Sequence, residues 1–110
     1  MIDWQRVDEL RQEIGAEEFL EVVEMFVEES DEVVAELETC QGPDGLKERL
    51  HFLKGSALNL GFQQMAEICR QGERLAAAGQ PERIDLAALR ALYADSRAAL
   101  VARLQAFPAA

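Results

Sequence analysis

In 110 residues the chain has one histidine, two cysteines, one tryptophan, one tyrosine and three prolines, and each scarcity excludes something. One histidine and two isolated cysteines, Cys40 and Cys69, are too few soft ligands for a zinc or other transition-metal centre, and two cysteines build no disulfide framework. Both thiols are expected to be buried in a reducing compartment. No stretch approaches the ~20 apolar residues that a helix needs to cross a bilayer, and no basic segment leads into an apolar run at the start of the chain. A soluble, cytoplasmic, unprocessed protein is expected. No glycine-rich nucleotide loop is present, so ATP binding is not expected.

Positive charge is scarce as well. Eleven Lys and Arg stand against 21 Asp and Glu, a formal net charge of −10. Nucleic acid and anionic membrane surfaces would be repelled by that field, which leaves a basic or neutral protein surface as the expected partner. The charge is uneven: residues 1–41 carry 14 acids against Arg6 and Arg11, whereas residues 42–110 carry 7 acids against 9 bases.

Ala, Leu, Glu and Arg are abundant, the vocabulary of helices. Asp3 can cap a first short helix over residues 3–14, with Ile2 and Val7 placed as a hydrophobic staple and Gly15 as its stop. From Glu17 to about Thr39, apolar residues Phe19, Leu20, Val23, Phe26, Val27, Val34 and Leu37 recur at three- and four-residue steps, with acids between them. Gln41-Gly42-Pro43-Asp44-Gly45 breaks the pattern, and Asp44 can cap a third helix over about 45–60. Gly61 separates it from a fourth over about 63–78, which Gly79-Gln80-Pro81 ends. A last stripe runs through Leu86, Leu89, Tyr93, Ser96, Leu100, Leu104 and Phe107 to Pro108. The fold class predicted is all-α: one domain over residues 1–110, an antiparallel four-helix bundle with a short additional N-terminal helix, expected as a monomer.

The third helix carries the chemistry. Leu46, Leu50, Leu53, Ala57 and Leu60 share one arc at ~100° per residue and face the core. From the centre of that arc, Lys54 lies at about 80°, Lys47 at about 100°, Leu58 at about 120°, His51 at about 140° and Gly55 at about 180°. The single histidine therefore points outward between two lysines, in a local field suited to a phosphoryl group. A lone exposed histidine is by base rate a solvated side chain; its surroundings argue for more. Glycine four residues later costs a helix about 1 kcal/mol relative to alanine, and its missing side chain leaves room beside the imidazole. A neutral imidazole is a capable nucleophile, and its phosphorylated form retains transfer potential toward a carboxylate.

The run His51-Phe52-Leu53-Lys54-Gly55-Ser56, followed by Leu60-Gly61, resembles the signature of histidine-containing phosphotransfer (HPt) domains, and the helix pattern extends the resemblance over essentially the whole chain. It implies a phosphorelay intermediate of two-component signalling, with His51 as phospho-acceptor, Lys54 neutralising phosphoryl oxygens, Gly55 giving a partner close access and Ser56 serving packing or helix-end hydrogen bonding. It further implies transfer to or from aspartates of response-regulator receiver domains, a hybrid sensor histidine kinase upstream, and no autonomous kinase activity. No cofactor is expected on this chain, because the divalent metal would sit on the receiver domain.

Helices three and four reverse near Gly61, so His51, ten residues before the turn, should lie opposite Glu73, twelve after it. In several family members the matching position is a glutamine that bonds the imidazole or the phosphoryl group. A glutamate there can accept a ring N–H, can repel phosphoryl oxygens, or can simply pair with Arg70 or Arg74. Phe52 and Leu58 flank the histidine outside the core arc and, with Lys47 and Met25, form a candidate partner-binding patch, the other reading being partial burial against neighbouring helices.

Two further readings are carried. The N-terminal phosphotransfer domain of a chemotaxis-type kinase has a similar fold and motif, although the close of the chain at Ala110 favours a free-standing carrier. A non-catalytic helical adaptor would keep the motif as packing only.

Overall fold

The computed structural model describes residues 2–39 and 42–106. Among them lie five α-helices, α1 (Trp4–Ile14), α2 (Ala16–Glu36), α3 (Gly42–Leu60), α4 (Gln63–Ala77) and α5 (Leu86–Ala106), with one 3₁₀ turn at Pro81–Arg83 before α5. Helices α2 to α5 close a four-helix bundle: each packs on the next, and α5 returns to α2. The fold is the all-α bundle with an added N-terminal helix that the sequence pattern predicts.

The apolar stripes converge on one core. Phe19, Val23 and Val27 from α2, Leu46, Leu50, Leu53, Ala57 and Leu60 from α3, Met65, Ala66 and Cys69 from α4, and Leu89, Tyr93 and Leu100 from α5 are buried together. Every residue of the predicted α3 arc is inside. Cys69 is the buried thiol expected; Cys40, Gln41, Phe107 and Pro108 lie outside the described residues.

Helix ends follow local chemistry. The Asp3 carboxylate accepts from the backbone N–H groups of Gln5 (3.1 Å) and Arg6 (3.3 Å), two donors that a helix start leaves unpaired. Ile2 and Val7 both join the core, as a staple would have them do. The C-terminus of α3 is a Schellman motif: Gly61 adopts φ +76°, its N–H bonds to Leu58 O (3.4 Å), and the N–H of Phe62 bonds to Ala57 O (2.7 Å). Helix α4 closes the same way at Gly79, with Gln80 bonding back to Leu75 O (2.8 Å).

Three boundaries differ from the sequence expectation. Helix α2 ends at Glu36, short of Thr39. Helix α3 begins at Gly42, so Asp44 sits inside its first turn instead of capping it. Proline is well placed there, since its missing N–H is one the first turn would leave unpaired anyway, and the Asp44 charge still favours the positive end of the helix dipole. Helix α4 stops at Ala77, one residue before the predicted end.

Helix α1 is tied over the α3–α4 turn. The N–H of Asp3 bonds to Gly61 O at 2.7 Å, Ile2 and Phe62 form an isolated antiparallel bridge, and Gln63 Nε2 donates to Asp3 Oδ2 at 3.3 Å. A polar clasp fastens α5 to α2. The Arg97 guanidinium donates to both Asp31 oxygens (3.0 and 2.9 Å) and the Tyr93 hydroxyl donates to Asp31 Oδ1 (2.5 Å). Partial burial alone would raise the Asp31 carboxyl, but the bonds from Arg97 and Tyr93 outweigh it and hold the group below its ordinary value. Apolar periodicity carries no sign of this clasp.

Candidate functional site

Leu50 and Leu53 anchor the inner face of α3 at zero exposure, which fixes the rotation of the helix and turns His51 outward; its side chain is 72% exposed. Across from it, α4 approaches α3 closely because residue 72 is a glycine. A Cβ built on Gly72 would stand 2.8 Å from Leu50 Cδ1. Gly72 precedes Glu73 and Leu50 precedes His51, so this close approach brings the two candidate side chains together.

Glu73 Oε1 lies 2.7 Å from His51 Nδ1, and Glu73 Oε2 lies 2.6 Å from Lys54 Nζ. The carboxylate side chain is only 13% exposed. Burial by itself would raise the Glu73 carboxyl, yet the hydrogen bonds from Lys54 and then His51, with the Lys54 charge, hold it below the usual carboxylate range. An ionised carboxylate has no hydrogen to give, so Nδ1 carries the ring hydrogen and donates it. In the neutral imidazole, Nε2 on the other side of the ring then keeps its lone pair.

The reversal at Gly61 thus pairs His51 with Glu73 as the count of residues on each side predicts. Arg70 instead bonds Glu67, at 3.2 Å, and the simple surface pairing of Glu73 with Arg70 is not what forms. Lys54 gives one of its ammonium hydrogens to Glu73. Lys47 is exposed and lines, with Asp44, Glu48, His51 and Glu73, an open cleft of about 540 Å³. Beside the histidine, a Cβ added at Gly55 would meet nothing within 4 Å; the space argued from sequence is there. Ser56 is buried, in keeping with packing.

The candidate partner-binding residues are exposed but dispersed. Met25 and Leu58 are each 49% exposed and Phe52 is 38% exposed. Leu58 borders a separate hollow with Asp3, Arg6 and Gln63, toward the α1 end. Sequence reasoning missed Leu20, which is 43% exposed, because its position next to Phe19 in an apolar stripe reads as core. It also missed the acids of the cleft, Glu48 and Asp44, whose one- and two-turn spacing before His51 was available as a signal.

A family model for the Hpt domain matches residues 21–106. The chain belongs to the Hpt domain family, whose members are phosphocarrier modules and not kinases, and its role is phosphotransfer in two-component signalling with receiver domains as partners. Comparison with curated proteins and with solved structures gives no match. Among the described residues no helix is long and apolar enough to cross a membrane.

Proposed function

We propose that His51 is the phospho-acceptor and that this protein is a cytoplasmic carrier, a monomer that passes a phosphoryl group between a hybrid sensor histidine kinase and receiver-domain aspartates. The observation that carries this reading is the exposed imidazole whose Nδ1 is held by a largely buried carboxylate at 2.7 Å. That bond fixes the tautomer and the ring plane, so the Nε2 lone pair is pre-oriented for in-line attack on a phosphoryl group brought by the partner.

Glu73 orients the imidazole, Lys54 holds Glu73 ionised, and Lys47 at the edge of the cleft lowers the cost of bringing phosphoryl oxygens toward an acidic molecule. Gly55 leaves the approach open, and Phe52, Leu58 and Met25 supply exposed apolar surface for the partner. The receiver brings the aspartate, the divalent cation and most of the charge stabilisation, so the carrier works without a cofactor and without kinase activity of its own.

The test is incubation with a phosphorylated receiver domain. Acid-labile, base-stable label should appear on the wild-type chain and be absent from His51→Gln. Label persisting undiminished in the variant would sink the assignment.

A further inference from the structure

Resting on the proposed acceptor role of His51, we propose that Glu73 is a positioning residue that keeps the Nδ1 proton on the phosphorylated ring, and thereby sets the upper pH limit of phosphoryl release.

The atom balance requires such a proton holder. When the Nε2 lone pair attacks phosphorus, an N–P bond forms and the receiver's carboxylate oxygen leaves with its bonding pair. The ring now bears phosphorus on Nε2 and hydrogen on Nδ1, and is cationic. In the return step a receiver carboxylate attacks phosphorus, the N–P pair goes back to Nε2, and the group that leaves is a neutral imidazole with its Nδ1 hydrogen in place. If that proton is lost to water in between, the leaving group becomes an imidazolate, far too basic to depart readily.

The charges around the ring single out Glu73. From α4 it alone among the cleft-lining groups meets the imidazole, at 2.7 Å on Nδ1. From α3 the neighbours are Lys54, tied to the other Glu73 oxygen at 2.6 Å, and the cleft residues Lys47, Glu48 and Asp44. Beneath Glu73, burial and then the Glu73 charge push the Cys69 thiol up to about 12, so it stays neutral and takes no part. Lys54 has a distinct use in this scheme: it keeps a largely buried carboxylate ionised, so that Glu73 meets the cationic ring as a full negative charge. A glutamine would accept the same hydrogen bond with no charge, and its amide group, if turned over, would donate to Nδ1 and favour the wrong tautomer.

The experiment follows spontaneous hydrolysis of the phosphorylated protein from pH 6 to 10, which needs no docking partner, together with transfer to a receiver over the same range. Both rates should fall at high pH as the ring loses its proton. In Glu73→Gln, which keeps the acceptor oxygen, label should still be accepted near pH 7, and the fall should move to lower pH by about one unit or more, the shift an opposite charge at this distance confers. Coincident profiles for wild type and Glu73→Gln would overturn the proposal, as would loss of phosphoryl acceptance at every pH in that variant, which would make the carboxylate essential to attack itself. Absence of label on the wild-type chain is a separate outcome: it would refute the acceptor role of His51, on which the inference stands.

Discussion

Replacing Gly55 separates folding from function, because the two pull in opposite directions at this position. Gly55 is inside α3, in helical conformation, and a Cβ there meets nothing within 4 Å. Alanine adds no clash and removes the backbone entropy that glycine loses on folding, a gain of about 0.5–1 kcal/mol. A chain of this length unfolds with an entropy of about 0.23 kcal/mol/K near 60 °C, so Gly55→Ala should raise Tm by about 2–4 °C. The same methyl stands one turn after His51 on the outward face, where side chains four apart are about 5–6 Å from each other. A receiver seated against that face would be lifted, and a displacement of about 1 Å can cost on the order of 100-fold in rate. Thermal unfolding followed by helical circular dichroism, paired with timed phosphoryl transfer from a labelled receiver, measures both effects on one sample. Gly55→Ala should be more stable and roughly tenfold slower, and Gly55→Leu slower still. If Gly55→Leu transfers at the wild-type rate, the glycine has no role in access and the reasoning is wrong. If Gly55→Ala is destabilised, the open space read beside the imidazole is not there.

Three other outcomes follow from the packing. Gly61→Ala should lose about 2–3 kcal/mol, because it places a side chain at φ +76° and 2.5 Å from Asp3 O, whereas Gly79→Ala, at φ +73° with open space around it, should lose only the roughly 1 kcal/mol of conformational strain; equal losses by chemical denaturation would discount the α1 tether. Gly72→Val should force Leu50 aside, cost about 1–3 kcal/mol and separate Glu73 from His51, so transfer should fall along with stability, and a variant with unchanged transfer would show that the close α3–α4 approach does not set the site. Asp31→Asn probes the α2–α5 clasp: since the folded-state value of Asp31 is lowered, its stabilisation is complete above the unfolded-state value near 3.8 and is lost as pH falls through the lower folded value. The wild-type advantage over Asp31→Asn should therefore be present at pH 7 and fade below about pH 4, and an advantage that stays constant down to pH 2 would contradict the ionic origin of the clasp.

Helix number, order and inward faces were readable from the chain because an amphipathic helix writes its orientation in residue spacing. The α3 arc from Leu46 to Leu60 is buried as the 3.6-residue period requires, and His51 is outward for the same reason. Boundaries were less legible: Gly42-Pro43 reads as a break, yet it is the first turn of α3, because glycine and proline punctuate a helix from its start as well as from its end. The Asp31–Tyr93–Arg97 clasp joins residues more than 60 apart, and no local pattern marks it.

The site divides in the same way. Residue type and spacing alone marked the candidate acceptor His51, its exposure, the neighbouring lysine and the glycine gap, since all lie within one helix whose geometry is fixed by its own period. Opposition of Glu73 to His51 was a matter of counting from the turn at Gly61. What the carboxylate does there was decided by tertiary structure, through the distance between α3 and α4 at Gly72 and through Lys54, which turns inward to Glu73. Hydrogen-bond direction depends on tenths of an ångström between two helices, and sequence periodicity fixes the face of each helix without fixing the gap between them.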